Sequence, residues 1–241
     1  MSARQLDIWL AKSENPVSRN TRRKRVVSVW RWAQRKGFLP REAHTEAEMT
    51  ERAHEPVPEI GIVGVATWRT LLEHFRANDA KLLPALVLAG FCGMRRAEIH
   101  GQTWEDISLE RKNLRVTAVK RGTPARRMVP LCDAAVEWLM LCKDRKGSVC
   151  DGLAMDAIRK AAIEKKHKLP DNCFRHSYIS HAVAATGDIP RVSLNAGNSP
   201  KEINRHYREL VSEEEGKAWF ESAPGAVGEI IRMPKGGAAT G

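Results

Sequence analysis

Apolar positions recur at helical spacing along most of this chain and alternate in one stretch only. Leu6, Trp9 and Leu10 open the pattern, and a second run over residues 17–36 sets Val26, Val29, Trp30 and Ala33 on one face. Gly37 ends that helix and Pro40 opposes a restart. Beyond a polar stretch, a helix through Leu71, Leu72 and Phe75 is expected, with Thr67 as its cap. An apolar helix follows over 81–92 and stops at Gly93, and residues 95–102 predict a short further helix. The period then changes. Leu114, Val116 and Ala118 alternate with polar residues, as do Arg127, Val129 and Leu131, and Gly122, Thr123 and Pro124 lie between, which predicts a β-hairpin. Helical spacing resumes over 133–142, 153–167, 174–185, 200–210 and 212–220, where Glu213 to Glu215 suit the positive end of the last helix. The expected fold class is mainly α with a small antiparallel β-sheet (α+β).

Charge adds a partner to this outline. The 241 residues carry a formal charge of +11, which favours a polyanion, nucleic acid above all. The second helix concentrates it: Arg19, Arg22, Arg23, Lys24, Arg25, Arg31, Arg35 and Lys36 crowd its polar face, and no acid occurs between Glu14 and Glu42. Such a face is self-repelling unless a polyanion relieves it, so it is read as laid along phosphates. From about Arg41 the composition shifts, first to Glu42, Glu46, Glu48 and Glu51, then to Pro56, Pro58, Gly61 and Gly64. This marks a domain boundary. The division is a small helical domain over 1–52, a linker over 53–64, a larger domain over 65–222 and a flexible tail over 223–241. No run reaches the roughly 18 apolar residues of a membrane span, and the start of the chain lacks an apolar signal region. Five cysteines without a CxxC pair predict neither a disulfide framework nor a metal cage, and suit core positions in a reducing cytoplasm.

The polar residues that exceed packing needs are cations and a phenol. Arg95 and Arg96 follow the apolar helix; Lys120 and Arg121 sit at the hairpin tip, with Arg126 and Arg127 on the return; Arg175 and His176 open one helix, and His206 and Tyr207 close another. Tyr178 and Tyr207 are the two tyrosines. No carboxylate pair of glycosidase type, phosphate loop, HExxH or GxSxG occurs. Guanidiniums that clamp non-bridging oxygens and a hydroxyl that attacks suit a phosphodiester. Taken singly, such an arginine is an ordinary surface residue and such a tyrosine an ordinary core aromatic.

Order and context turn these residues into a pattern. Gly93-Met94-Arg95-Arg96-Ala97-Glu98-Ile99 with Trp104-Glu105-Asp106-Ile107 resembles box I of the tyrosine recombinases, the phage integrase family. Lys120 and Gly122 with Arg127-Met128-Val129-Pro130-Leu131 resemble the family's hairpin lysine and strand exit. Asn172 to Tyr178 is similar to box II, Ala196-Gly197-Asn198-Ser199-Pro200 to the glycine–histidine element, and Tyr207 falls nine residues after Asn198, where the nucleophile belongs. The likeness runs from about Val65 to Phe220. The preceding helices resemble a short SAM-like core-binding domain by composition alone.

The resemblance implies a site-specific recombinase that cuts and rejoins double-stranded DNA. Arg95 and Arg175 would grip the scissile phosphate, Tyr207 would form a 3′-phosphotyrosyl link, and Lys120 would protonate the leaving 5′-oxygen. Glu98 would orient the box I arginine and His176 would support the cluster. Arg121 and Arg126 join the basic helix as expected DNA contacts. No metal and no cofactor is implied. A homotetramer on DNA, monomeric away from it, is expected, in a bacterial or phage cytoplasm at the nucleoid, with residues 212–220 exchanged between neighbours or packed in cis. Asn172 and Asn198 stand where the family usually has histidine. Asparagine donates a hydrogen bond but exchanges no proton near neutral pH, and neither His181 nor His206 matches a family position. The alternative is therefore a DNA-binding protein on the same scaffold with impaired cleavage. A basic helical RNA binder is a third reading, opposed by an aromatic content of 6%.

Overall fold

The computed structural model describes residues 1–41, 44–56, 61–120, 123–142, 145–164, 169–206 and 211–225, with backbone alone at 118–120, 123–125, 164, 205 and 206. The chain forms two compact units, Met1–Glu59 and Ile60–Gly241.

In the first unit, α1 (Ala3–Ala11) starts at a capping box between Ser2 and Gln5. α2 (Pro16–Arg35) starts at Asn15, whose Oδ1 accepts from the amides of Val17 and Ser18 at 2.9 and 3.1 Å. Residues 44–55 then return along α2. Asn20 is buried; its Nδ2 donates to the Ala53 carbonyl at 2.8 Å, and its Oδ1 accepts from the Ala53 amide at 2.9 Å. Arg23 donates to the carbonyls of Thr50 and Glu48, both at 2.9 Å, and Arg31 pairs with Glu48 at 2.7 Å. One sequence expectation changes here: the charge of α2 is relieved in part within the chain, by the Thr50 and Glu48 carbonyls and the Glu48 carboxylate. The apolar face of α2 is half-buried at Val26, Trp30 and Ala33 and open at Val29. Leu6, Leu10 and Ala47 are the buried apolar side chains of this unit among the described residues; two helices and a strap bury little.

The second unit is built around α4 (Leu83–Cys92), all ten residues of which are buried. A helix apolar on every side belongs at the centre of a fold. α3 (Val65–Asn78), α6 (Asp133–Met140), α7 (Ala154–Glu164) and α8 (Cys173–Thr186) pack around it. Gly64, not Thr67, is the N-cap of α3, because the chain becomes helical before the threonine. α5 (Arg96–His100) and a 3-10 turn (Trp104–Asp106) lead into an antiparallel sheet of order β1 (Ile107–Ser108), β2 (Asn113–Lys120), β3 (Thr123–Pro130). Lys120 pairs with Thr123 and Val119 with Pro124, so Thr123 and Pro124 belong to β3 and not to the turn. β3 is an edge strand, where a proline removes no ladder bond on its open side. α9 (Ile189–Ala196), absent from the sequence reading, and α10 (Pro200–His206) precede α11 (Glu213–Phe220).

α11 packs on α8 of the same chain. Its Trp219 is fully buried, stacked on Trp68 at 4.6 Å and on His181 at 4.3 Å, and its Nε1 donates to the Gly90 carbonyl at 2.9 Å. Beyond α11 the chain stays docked. Ser222 is buried, and its carbonyl accepts from Trp138 Nε1 at 2.6 Å; residues 226–241 lie outside the described part. The five cysteines are free and buried or half-buried, and burial pushes Cys132, Cys142, Cys150 and Cys173 up to about 11. No helix among the described residues is long and apolar enough to cross a membrane.

Candidate active site

The end of α4 delivers the first arginine. Gly93 turns the chain with φ +59°, and a Cβ there would lie 2.2 Å from the Tyr178 ring of α8. Glycine alone permits this approach, so α4 and α8 meet closely and Arg95 emerges beside the start of α8. Glu98, buried in α5, accepts from the Arg95 amide at 2.8 Å and from Arg95 Nη1 at 3.1 Å. The second arginine, Arg175, lies in the first turn of α8 and is buried; it donates to the carbonyls of Gly93 at 2.5 Å and Ala196 at 2.7 Å.

Both guanidiniums face one acceptor. α9 ends at Gly197, in the left-handed region at φ +66°, with the amides of Gly197 and Asn198 both donating to the Ser193 carbonyl, at 2.8 and 3.1 Å. This turn presents the Asn198 carboxamide. Its Oδ1 accepts from Arg175 Nη2 and lies 3.5 Å from Arg95 Nη2, which also donates to the Gly197 carbonyl at 2.7 Å. The side chains at 95, 175 and 198 are therefore brought together. Asn172 caps α8 from a left-handed conformation, φ +56°, which asparagine tolerates better than most residues. It is exposed, makes no capping bond through its side chain, and lines a cavity of about 220 Å³ with Arg96 and Arg175. His176 is half-buried in the next position of α8.

Behind the pair stands a residue that sequence reasoning placed only on the returning strand. Arg127 of β3 forms a two-pronged ion pair with Glu98, 2.8 Å on each prong, and its Nε donates to the Asn195 carbonyl of α9 at 2.8 Å. Burial alone would raise the Glu98 pKa; the bonds from Arg127 and Arg95 overcome it and hold the carboxylate at about 2. Glu98 thus stays ionised across the working range. The signal for Arg127 is present in the sequence, but its partner lies 29 residues away and no local spacing reports it.

The remaining predicted residues divide by what is described. Lys120 is the last residue of β2, its side chain outside the described part, as is the whole of Arg121; Arg126 is exposed on β3. Tyr207 directly follows α10 in sequence and lies outside the described residues. Tyr178 is buried, its hydroxyl pKa pushed well up by burial. In the first unit, Arg22, Lys24, Arg25, Arg35 and Lys36 are exposed, with Arg22 also over the Trp9 ring at 5.9 Å, whereas Arg19 and Arg23 are half-buried and Arg31 is paired.

No protein-family model matches the sequence, and no curated protein matches it either. Solved structures do. A lambda integrase dimer bound to a COC′ core site superposes with a TM-score of 0.67 at 15% identity, over 88% of this chain and 82% of that one. The Tn1549 transposon integrase in complex with circular intermediate DNA gives 0.64 at 13% identity, over 90% and 84%. XerA recombinase gives 0.51 at 15% identity, over 76% and 70%. At these identities the likeness is one of architecture: this chain has the fold of the tyrosine recombinases.

Proposed function

We propose that the protein cleaves and rejoins double-stranded DNA through a 3′-phosphotyrosyl intermediate. The observation that carries this is the convergence of Arg95 and Arg175 on a single oxygen, Asn198 Oδ1. That acceptor stands in for a non-bridging phosphate oxygen, and two guanidiniums already aimed at it stabilise charge that grows in the transition state without reorganising. Tyr207 Oη attacks phosphorus and its proton passes to water; a bond to the phenolic oxygen forms as the bond to the 5′-oxygen breaks, and Lys120 donates the proton the leaving oxygen takes and regains one from solvent. The reverse steps reseal the strand. The phosphodiester energy is kept in the tyrosyl ester, so the steps call on no high-energy cofactor. The burial of Tyr178 supports Tyr207, the other tyrosine of the sequence, as the phenol. The exposed cations of α2, with Arg121 and Arg126, would supply phosphate contacts outside the site, and a tetramer on DNA is the assembly proposed.

A second reading has its own support. Asn172 and Asn198 offer no titratable group, so a scaffold that binds DNA and cleaves slowly or not at all fits the same geometry. A pool of nicked duplexes of randomised sequence separates the two. Incubation in EDTA and denaturation in detergent should leave protein linked to DNA for the wild type and none for Tyr207→Phe. Salt-sensitive binding without linkage would establish the second reading instead.

A further inference from the structure

We infer that Arg127 is a positioning residue of this clamp, acting through Glu98 on Arg95 and through Asn195 on the turn that carries Asn198; the inference rests on the phosphate-binding reading above. Arg127 spends its guanidinium inward. Its side chain is 13% exposed, both prongs close on Glu98, which is 4% exposed, and Nε closes on α9. Glu98 in turn holds Arg95 by its amide and its Nη1. A Cβ at Gly197 would lie 3.3 Å from Arg95 Nη1 and 3.4 Å from Arg127 Nη1, so the two guanidiniums flank the same turn. One edge strand is thereby tied to both halves of the clamp, the Arg95 side by an ion pair and the Asn198 side by a carbonyl. That same strand pairs with β2, whose last residue is Lys120. Arg127 thus sets phosphate grip and hairpin in one frame without facing the acceptor oxygen of the clamp.

Lysine keeps the charge at 127 but replaces a planar fork by a point charge, and cannot hold both carboxylate oxygens and the Asn195 carbonyl in the same geometry. Misplacing a catalytic group by about 1 Å costs roughly 100-fold in rate. Arg127→Lys is therefore expected to fold, to bind an intact duplex pool within about twofold of wild type, and to form the covalent adduct about 100-fold more slowly at saturating DNA. Glu98→Gln should slow it comparably, and Glu98→Gln combined with Arg127→Gln should be no slower than Arg127→Gln alone, because both act along one path. Additive losses, or an adduct rate in Arg127→Lys that merely follows its folded fraction by circular dichroism, would overturn the inference while leaving the cleavage reading intact. Inorganic phosphate, followed by its ³¹P line width, covers a wild type that makes no adduct. Phosphate binding lost in Arg95→Ala and weakened in Arg127→Lys would uphold the positioning role and sink cleavage. Binding unchanged in Arg127→Lys, or absent from the wild type, would overturn the positioning role as well.

Discussion

Arg23 in the first unit and Arg175 in the second are both arginines that donate to backbone carbonyls, yet they do different work. Arg23 fastens a strap to a helix, and around it Lys24, Arg25, Arg35 and Lys36 stand in solvent. Arg175 is buried, donates to two carbonyls, and donates as well to an oxygen that Arg95 also faces. The first region creates a field; the second fixes a geometry. A positive field tolerates the loss of any one charge, whereas a fixed geometry fails as a unit.

The largest effect that would test this contrast is at the clamp. Arg175→Ala should leave the protein folded and lower adduct formation by roughly 1,000-fold, as loss of a preorganised donor does; an unchanged yield on denaturing gels would remove Arg175 from the site. Gly197→Ala comes next. The left-handed φ costs an L-residue about 1–2 kcal/mol, and the new methyl crowds two guanidiniums, so a fall of about tenfold in adduct rate is expected, read in the same assay. Acid should separate the units. Burial lowers the His181 pKa, so the contribution of neutral His181 is whole above the unfolded value of about 6.5 and declines as pH falls below it. Glu48, held down by the Thr45 amide and Arg31, and Glu98 contribute above about 4.5 and lose it as pH falls through about 2. Amide exchange should therefore loosen α8 and α11 first and the strap later; the opposite order would contradict the assigned roles. The smallest effect belongs to the field: Lys24→Ala should change stability by less than about 0.5 kcal/mol and reduce the salt slope of duplex binding by about 1, while Arg23→Ala should cost about 1–3 kcal/mol by calorimetry.

Much of this was legible in the sequence for local reasons. α4 announces itself because every residue from Leu83 to Cys92 is apolar or small, and β2 because its apolar positions alternate. The likeness to box I implies Glu98 as a support of Arg95, three positions before it. What local pattern does not report is short or distant. α9 spans only eight residues, with Val192, Ser193 and Ala196 buried and Leu194 exposed, and its start rests on Asp188 capping Arg191 with Pro190 in the first turn. The pairing of Arg127 with Glu98 joins a strand to a helix across the sheet, and the relief of α2 by Glu48 joins residues 17 apart. Composition reports that such charges exist; only the folded chain reports which are already spoken for.

The indole of Trp219 carries a consequence for how the protein is made. It fills the space between Trp68 and His181 and satisfies a carbonyl of the central helix, so α11 closes the aromatic interior of the second unit. On a ribosome, residues 60–210 can emerge and gather, but the aromatic stack stays open until α11 has cleared the exit tunnel. The nascent unit must wait for α11 before it can become native.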